Sequence, residues 1–456
     1  MHTTTNMEKN YKGTVSWMVL ILSAFLLSFD ETPMIEKPTN IILVFADDLG
    51  YGDLSCYGHP TIHTKHLDKM AGEGIRFTSF YAAASVCTPS RAALLTGRYP
   101  IRNAPYNFGP ESKDGLPLEE ITLAEVLKKK GYKAQAIGKW HLGHLPAYLP
   151  TARGFDSFYG LPYSNDMILP WCPWLTESDK LFLYEDGLPV KEIGYDQENL
   201  TVDYTQKATA FIREHRDEPF FLYLAHNMPH LPISTAKAFV GKSQAGLYGD
   251  VVETIDWSMG EIFRAIQEAG IEQNTLVVFA SDNGPWQNLP KRMLQKGVLE
   301  THAGSAGMLK GSKATTYEGG FRVPAIVRWP GKIPAQQVSR EVVNTMDIFA
   351  TLVEIAGAEL PADRKIDGRS IYPLLTGERQ ATSHPFFYCR EAVLEAVRVG
   401  KWKLRYTTGS GYELYDLDTD PGEKFNAVEA HPDIVVKLAN EMQHFATETG
   451  AQFDGK

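Results

Sequence analysis

The sequence predicts an α/β protein with a large domain on a central sheet and a smaller domain on an antiparallel sheet. Almost wholly apolar segments at 39–46, 219–225 and 275–280 are separated by stretches with helical spacing. Such segments are typical of strands buried between layers of helices. The 456 residues exceed one ordinary core, so two domains are expected. We predict that they span 38–372 and 373–456.

The composition limits the classes of function. Hydrophobic residues make up 43% of the chain and charged residues 22%, as in soluble globular proteins. The net charge of −10 argues against a nucleic-acid partner. Four cysteines are too few for a scaffold held by disulfides.

The first residues have the pattern of an export signal. Lys9 and Lys12 precede an apolar run at 15–29, which is too short for a comfortable membrane span and fits a signal peptide. We therefore expect residues 1–30 to be a signal peptide, the protein to be exported, and no stable membrane span. An uncleaved anchor is the alternative, because no clean cleavage site follows.

Helical and strand patterns alternate through the rest of the large domain. The segment 169–193 is poorly periodic, and we predict that it is an insertion at the rim. The predicted helices are 62–76, 87–95, 118–130, 200–215, 248–270 and 343–356, and the further strands are 77–82, 132–138 and 325–328.

The pattern changes after about residue 373, where short strands separated by turn residues predict an α+β subdomain with an antiparallel sheet. The predicted strands are 386–388, 393–399, 402–406 and 413–415, followed by a final helix at 432–447.

Two pairs of oxygen-bearing side chains follow predicted strands. Asp47 and Asp48 come after the first strand, and Asp282 and Asn283 follow the strand at 275–280. In α/β proteins ligands bind at the carboxyl ends of the strands. Adjacent carboxylates repel each other unless a cation lies between them, although a polar turn would explain either pair alone. Together the pairs predict calcium or magnesium in preference to zinc.

The segment around Cys87 predicts an anion site at a helix N-terminus. Pro89 suits the first helical turn, and Gly97 is a plausible helix stop. Cys87 should therefore lie where free backbone N–H groups favour an anion, with Arg91 one turn further along. A buried structural cysteine beside a surface arginine is the alternative.

Lysine and histidine side chains follow two other strands. Lys139 and His141 come after the strand at 132–138 and, one residue apart on an extended segment, face the same side. His226 and His230 come after the strand at 219–225. These histidines are open to three readings, as metal ligands, as a base, or as packed loop residues.

Several of these segments resemble the motifs of the type I sulfatases. They are Cys-Thr-Pro-Ser-Arg at 87–91 with the following Ala-Ala-Leu-Leu-Thr-Gly-Arg, Gly-Lys-Trp-His-Leu-Gly at 138–143, Pro-Tyr-Ser at 162–164, the two-histidine segment at 226–230, and Thr-Thr-Tyr-Glu-Gly-Gly at 315–320. The resemblance covers about 38–430 and is closest to the branch of arylsulfatase A and N-acetylgalactosamine-6-sulfatase. It implies an alkaline-phosphatase-like sandwich with a central mixed sheet and helices on both faces.

The resemblance also implies a nucleophile and a cation. In this family the cysteine of the motif is oxidised to formylglycine by a formylglycine-installing enzyme, and the hydrated aldehyde is the nucleophile, so Cys87 is its expected precursor. The cation, calcium before magnesium, is expected to bind Asp47, Asp48, Asp282, Asn283 and an oxygen on modified Cys87.

The remaining family roles concern the sulfate ester. Arg91, Lys139 and Lys313 are expected to balance the charge of the sulfate, which Ser164 also reaches. His230 is expected to protonate the leaving alcohol, and His141 to take a proton when the enzyme-bound sulfate is released. Lys310 is the alternative to Lys313, and His226 is the alternative to His230.

The predicted function is hydrolysis of the sulfate ester of an aryl sulfate or sulfated carbohydrate. One alternative is a phosphodiesterase or phosphonate monoester hydrolase on the same fold. Another is a non-catalytic module that binds sulfated glycans, which would apply if Cys87 remained a thiol.

Overall fold

A mixed sheet of ten strands lies at the centre of the protein. The computed structural model describes residues 38–294, 297–378 and 384–455. Within these residues the strands, in chain order, are β1 Asn40–Ala46, β2 Ile75–Phe77, β3 Phe80–Tyr81, β4 Lys133–Lys139, β5 Ser157–Leu161, β6 Leu181–Glu185, β7 Leu188–Ile193, β8 Phe220–Ala225, β9 Thr275–Ser281, β10 Ala325–Arg328, β11 Gln337–Ser339, β12 Val343–Asn344, β13 Phe386–Arg390, β14 Val393–Val399, β15 Trp402–Thr407 and β16 Gly411–Asp416.

Helices cover both faces of this sheet. In the described residues they are α1 Lys65–Gly72, α2 Cys87–Thr96, α3 Leu123–Lys128, α4 Leu200–Glu214, α5 Gly246–Glu268, α6 Glu318–Phe321, α7 Thr345–Ile355, α8 Tyr372–Leu375 and α9 Pro432–Thr449. Alternate residues of β1 enter different cores: Leu43 packs in the core of α2, α3 and α7, and Val44 in the core of α1, α4 and α5. This burial of both faces explains why β1 is continuously apolar.

The strand order brings distant segments to one edge of the sheet. The order is β11-β2-β10-β9-β1-β8-β4-β5-β6-β7, and the strands from β9 to β5 are mutually parallel. Their carboxyl ends therefore meet at the same edge, as the predicted α/β architecture requires.

The second sheet confirms the predicted antiparallel unit near the C-terminus. It has four strands in the order β13-β14-β15-β16, and α9 packs on it through Leu438, Met442 and Phe445. The boundary between residues 372 and 373 stays a prediction.

Several elements differ from the prediction. The predicted helix 62–76 is α1 followed by β2. The predicted helix 343–356 begins with β12, and α7 starts after the Asn344 cap, whose side chain accepts from the backbone N–H groups of Met346 and Asp347. The predicted strand 77–82 corresponds to the end of β2 and to β3. The predicted helix 118–130 corresponds to the shorter α3, which begins after the Thr122 cap.

The segment 169–193 contains a hairpin that its poor periodicity did not indicate. Strands β6 and β7 pair antiparallel and extend the main sheet beyond β5. The turn between them has Asp186 and Gly187 at φ 48° and 85°, as in the Asp-Gly hairpin turns that match strand twist. This dipeptide was the available signal.

The expected signal peptide lies outside the described residues. In the part of the chain that is described, no helix is both long enough and apolar enough to cross a membrane.

Candidate active site

The carboxyl edge of the parallel strands collects the predicted polar side chains. Asp47 and Asp48 follow β1, and Asp282 and Asn283 follow β9. The backbone N–H of Asp48, at φ 62°, donates to Asp282 Oδ1 over 3.0 Å. Asn283 Nδ2 donates to Asp48 Oδ1 over 2.7 Å. Pairing of β1 with β9 thus joins the two oxygen-bearing pairs into one cluster.

The donor set of this cluster fits a hard cation. Asn283 Oδ1 is buried and has no hydrogen-bond partner within the described residues. Asp47, Asp48, Cys87 and His230 each place one ligand atom within 4.8 Å of the others. Carboxylate and amide oxygens are the preferred ligands of calcium and magnesium. The cation-site residues predicted from the sequence are therefore contiguous, and His230 lies next to them.

The electrostatics of the cluster also favour a cation. Burial and the Asp47 charge together raise the pKa of Asp282 to about 7, although Arg91 opposes the shift. Burial likewise raises the pKa of Asp48. Burial would raise the pKa of Asp47 as well, but Lys139, His230 and Arg91 outweigh it and hold that pKa well below its usual range. A divalent ion would compensate the repulsion between these carboxylates.

Cys87 is the first residue of α2, which ends at Gly97 in the left-handed region (φ 69°), as predicted. The Cys87 Sγ atom lies 3.4 Å from Asp47 Oδ1 and 3.7 Å from Lys313 Nζ. Burial and the Asp47 charge raise the pKa of this thiol well above its usual value. Nucleophilic cysteines require the opposite shift. Without a cation to offset the Asp47 charge, a plain thiol at this position is therefore poorly activated.

Arg91 faces the carboxylates of the cluster. Its side chain is completely buried. The Nη2 atom donates to Asp282 Oδ2 over 2.8 Å and lies 3.5 Å from Asp47 Oδ1. Nη1 donates to the carbonyl of Lys139 over 2.9 Å. In these contacts Arg91 holds the Asp47 and Asp282 carboxylates and the end of β4 together.

Two ammonium groups flank Cys87. Lys139 Nζ lies 2.6 Å from Asp47 Oδ2 and 3.1 Å from Ser164 Oγ. Lys313 Nζ lies 2.8 Å from Asp48 Oδ2. This arrangement provides charge-assisted donors for the oxygens of an anion.

Lys310, the alternative to Lys313, makes different contacts in the structure. Lys310 Nζ donates to the carbonyl of Glu423 over 3.2 Å and lies 4.1 Å from the ring centroid of Tyr317. Both contacts are with residues outside the cluster. The cluster therefore contains Lys313, at the position that the sequence motif indicated.

The two histidines after β8 occupy different surroundings. His230 Nε2 lies 3.6 Å from Asp48 Oδ2, and His230 Nδ1 contacts the carbonyl of Leu231. His226 Nε2 instead lies 3.4 Å from Ser258 Oγ on α5, and burial lowers the pKa of His226 to about 4. His230 is thus the histidine of this loop that reaches the cluster.

His141 has one nitrogen free for proton transfer. Its Nε2 lies 2.8 Å from the carbonyl of Phe108, which assigns the hydrogen to Nε2. Its Nδ1 is buried without a partner in the described part of the chain. Burial, with Lys139 and Arg91, lowers the pKa of His141 well below its usual value. The Thr88 hydroxyl donates to the His141 carbonyl over 2.7 Å and ties this residue to α2.

Sequence reasoning missed Trp286. Its ring centroid lies 4.9 Å from Lys313 Nζ and 5.6 Å from the centroid of His230. Trp286 therefore packs against both the lysine and the histidine of the site. Its position three residues after Asn283 was the available signal.

Comparison with known proteins agrees with this geometry. The family described as "Sulfatase" matches residues 39–358, and the family described as "N-sulphoglucosamine sulphohydrolase, C-terminal" matches residues 311–448. N-acetylgalactosamine-6-sulfatase of Canis lupus familiaris is 39% identical over 434 residues, which cover 91% of this chain and 80% of that protein. Arylsulfatase A of Homo sapiens is 38% identical over 450 residues, covering 88% and 86%.

Solved structures show the same architecture. Ps i-CgsB in complex with k-i-k-neocarrahexaose has a TM-score of 0.78 at 29% identity, covering 90% of this chain and 93% of that chain. A protein solved in work on glycosaminoglycan metabolism by Bacteroides thetaiotaomicron has a TM-score of 0.79 at 28% identity, covering 90% and 100%. The phosphonate monoester hydrolase of Silicibacter pomeroyi shares the fold, with a TM-score of 0.66 at 17% identity and coverage of 90% and 96%.

Proposed function

Since this chain belongs to the sulfatase family and is a sulfuric ester hydrolase, we propose that it works through formylglycine made from Cys87 and a divalent cation. The observation that carries this proposal is the position of Cys87 Sγ between Asp47 and Lys313, at 3.4 and 3.7 Å. A nucleophile formed there would lie between the cation site and a sulfate-binding ammonium group.

The cation, calcium before magnesium, would be held by Asp47, Asp48, Asp282, Asn283 and an oxygen on modified Cys87. Its positive charge would lower the pKa of the nucleophile and neutralise charge on the sulfate. Asn283 Oδ1, which has no hydrogen-bond partner within the described residues, supports this assignment. Arg91 keeps the Asp47 and Asp282 carboxylates in place through its buried ion pairs.

Formylglycine would supply what a thiol lacks, because its hydrate has one hydroxyl for attack on sulfur and a second for release of the sulfate. A formylglycine-installing enzyme is therefore a required partner during maturation.

The side chains around Cys87 would then divide the remaining work. Lys139, Lys313 and the Ser164 hydroxyl bind the sulfate oxygens and balance their developing charge, aided by Arg91. His230 Nε2 donates the proton to the leaving alcohol oxygen. Burial, Lys313 and Lys139 lower the pKa of His230 well below its usual value, and bound sulfate would counteract the two lysines. His141 Nδ1, which has a free lone pair, accepts the proton in the release step.

The substrate is a sulfated carbohydrate or an aryl sulfate, and the protein acts after export. The two-lysine site recognises the sulfate group, which both substrate classes share. The export proposal depends on the pattern of residues 1–30.

The test combines mass spectrometry with a substrate panel. Protein made with a formylglycine-installing enzyme should show the aldehyde at Cys87 and hydrolyse sulfate esters much faster than matched phosphate monoesters and diesters. Full activity with an intact Cys87 thiol would refute the nucleophile. Faster hydrolysis of the phosphate diesters or of a phosphonate monoester would favour the alternative enzyme class.

A further inference from the structure

Asp166 is a buried carboxyl group with an oxygen that lacks a donor. Asp166 is only 8% exposed, and its Oδ1 has no hydrogen-bond partner within the described residues. Buried polar atoms in folded proteins nearly always have partners, and leaving one unpaired is unfavourable. This oxygen therefore requires a hydrogen-bond donor from outside the described residues.

This carboxyl group borders the sulfate-binding lysines. Burial raises the pKa of Asp166, while a hydrogen bond from Ser164 and the charges of Lys139 and Lys313 lower it. Ser164 itself accepts from Lys139 Nζ over 3.1 Å. The charges of both ammonium groups that we assign to the sulfate thus act on Asp166.

The neighbouring Asn165 connects this loop to the segment that carries His230. Asn165 Nδ2 donates to Gln197 Oε1 over 3.0 Å and to the carbonyl of Pro232 over 3.5 Å. Pro232 lies two residues after His230. The loop at 164–166 is therefore tied to the segment that carries His230.

A carboxylate beside an anion site would ordinarily weaken sulfate binding by repulsion. A substrate that carries both a sulfate and a hydroxyl group removes this conflict, because the hydroxyl donates to the carboxylate while the sulfate contacts the lysines. Sugars present such hydroxyl groups next to the ester, whereas a simple aryl sulfate presents none. A site built to bond a hydroxyl also rejects analogues that lack it, because its buried acceptor is then left unpaired.

We infer that Asp166 is a specificity-determining residue that accepts a hydrogen bond from a hydroxyl group of the sugar bearing the sulfate ester. This inference rests on the proposed function and narrows its substrate class to sulfated saccharides. It assigns a role in substrate recognition to a residue outside the sulfate-binding and cation-binding sets.

The test compares substrates and variants in one design. The best substrate from a panel of monosulfated hexosides is compared with analogues that each lack one hydroxyl, with 4-nitrophenyl sulfate as the reference. For the wild type, loss of one particular hydroxyl should lower kcat/KM on the order of 10–100-fold, since hydrogen bonds to charged groups are among the stronger ones. In Asp166→Ala the ratio of kcat/KM for the parent hexoside to kcat/KM for that deoxy analogue should fall to about one. Turnover of 4-nitrophenyl sulfate should change by only about threefold.

Asp217→Ala is the matched control, because the Asp217 side chain is 88% exposed, and it should keep the wild-type ratio. The inference is wrong if wild-type enzyme treats every deoxy analogue like its parent, a comparison that needs no variant. It is also wrong if Asp166→Ala still discriminates between the parent hexoside and its deoxy analogue. Equal slowing of aryl and sugar sulfates by Asp166→Ala would likewise contradict it, because loss of Ser164 positioning alone would have that effect. Turnover by protein with an intact Cys87 thiol would refute the proposed nucleophile and leave this substrate ratio unaffected.

Discussion

Arg91 Nη2 lies 2.8 Å from Asp282 Oδ2, and both side chains are completely buried. Arg91 comes from α2, one turn after Cys87, and Asp282 follows β9. This ion pair therefore fixes the helix of the nucleophile against the carboxylates of the proposed cation site.

Arg91→Met should lower the free energy of unfolding by about 3–5 kcal/mol, because it leaves buried carboxylates without their partner. Denaturant unfolding of the protein with an unmodified Cys87 measures this effect apart from maturation. Arg213→Met removes an exposed pair with Glu268, in which both side chains are 51% exposed, and should cost less than about 1 kcal/mol. Equal effects of the two substitutions would contradict the role of Arg91.

Cys87→Ala should abolish sulfate-ester turnover and leave the fold intact. The side chain would be replaced by a methyl group, so neither an aldehyde nor a thiol could form. Circular dichroism and the unfolding midpoint check the fold, and sulfate release checks activity. Retained turnover in this variant would exclude Cys87 as the source of the nucleophile.

Calcium should stabilise the wild-type protein but not Asp282→Ala. At 100 times its Kd, a ligand that binds only the folded state stabilises it by about 2.7 kcal/mol. The measurement is the calcium-dependent shift of the unfolding midpoint after treatment with a chelator, together with metal content and activity. Stoichiometric zinc without calcium in purified active protein would overturn the predicted cation.

The two active-site histidines should have separable effects. Loss of His230 should slow sugar sulfates by about 10²–10⁴-fold but change activated aryl sulfates much less, because only the sugar alcohol needs a proton to leave. Loss of His141 should slow release of enzyme-bound sulfate for every leaving group. Steady-state kinetics and the mass of the Cys87 peptide, which should carry an added sulfate in His141→Ala, test the two roles. Equal slowing of both substrate classes by His230→Ala, or no trapped sulfate in His141→Ala, would contradict them.

A buried charge network should make part of the free energy of unfolding depend on pH. Lys403 Nζ lies 3.0 Å from Glu318 Oε1 and 2.8 Å from Glu423 Oε1, with these side chains fully buried. Burial opposes ionisation of Glu318, but Lys403 and nearby arginines outweigh it and lower the pKa of Glu318 from 4.5 to about 2. Because the folded-state pKa is lower, this stabilisation is complete above pH 4.5 and is lost as the pH falls towards 2.

Lys403→Met should therefore destabilise the protein by about 3–5 kcal/mol at pH 7, since two buried carboxylates lose their cation. The difference from wild type should shrink as the pH falls from 4.5 towards 2, where Glu318 becomes protonated. Burial raises the pKa of Glu423, so that carboxyl group takes up its proton at higher pH. Unfolding at several pH values measures it. Lys401→Met is the control, because Lys401 is 47% exposed in its pair with Asp416. A pH-independent difference would contradict the assigned coupling.

The sequence by itself determined the features that local patterns encode. Apolar runs marked β1, β8 and β9, because strands covered on both faces have no polar side. Pro89 and Gly97 marked the beginning and end of α2 and so placed Cys87 at its first turn. The acidic pair of Asp47 and Asp48 after a buried strand indicated a ligand-binding edge.

Only the tertiary structure decided which of these features meet. The sequence motifs already favoured His230 and Lys313, but the contacts that separate them from His226 and Lys310 are with Asp48 and Cys87, which lie far away along the chain. The placement of β9 beside β1 pairs residues more than 200 positions apart. Local periodicity carries no information about such pairings, because strand order is set by hydrogen bonding and packing between distant segments. For the same reason, the lack of a partner for Asp166 Oδ1 among the described residues becomes visible only after every neighbouring donor has been placed.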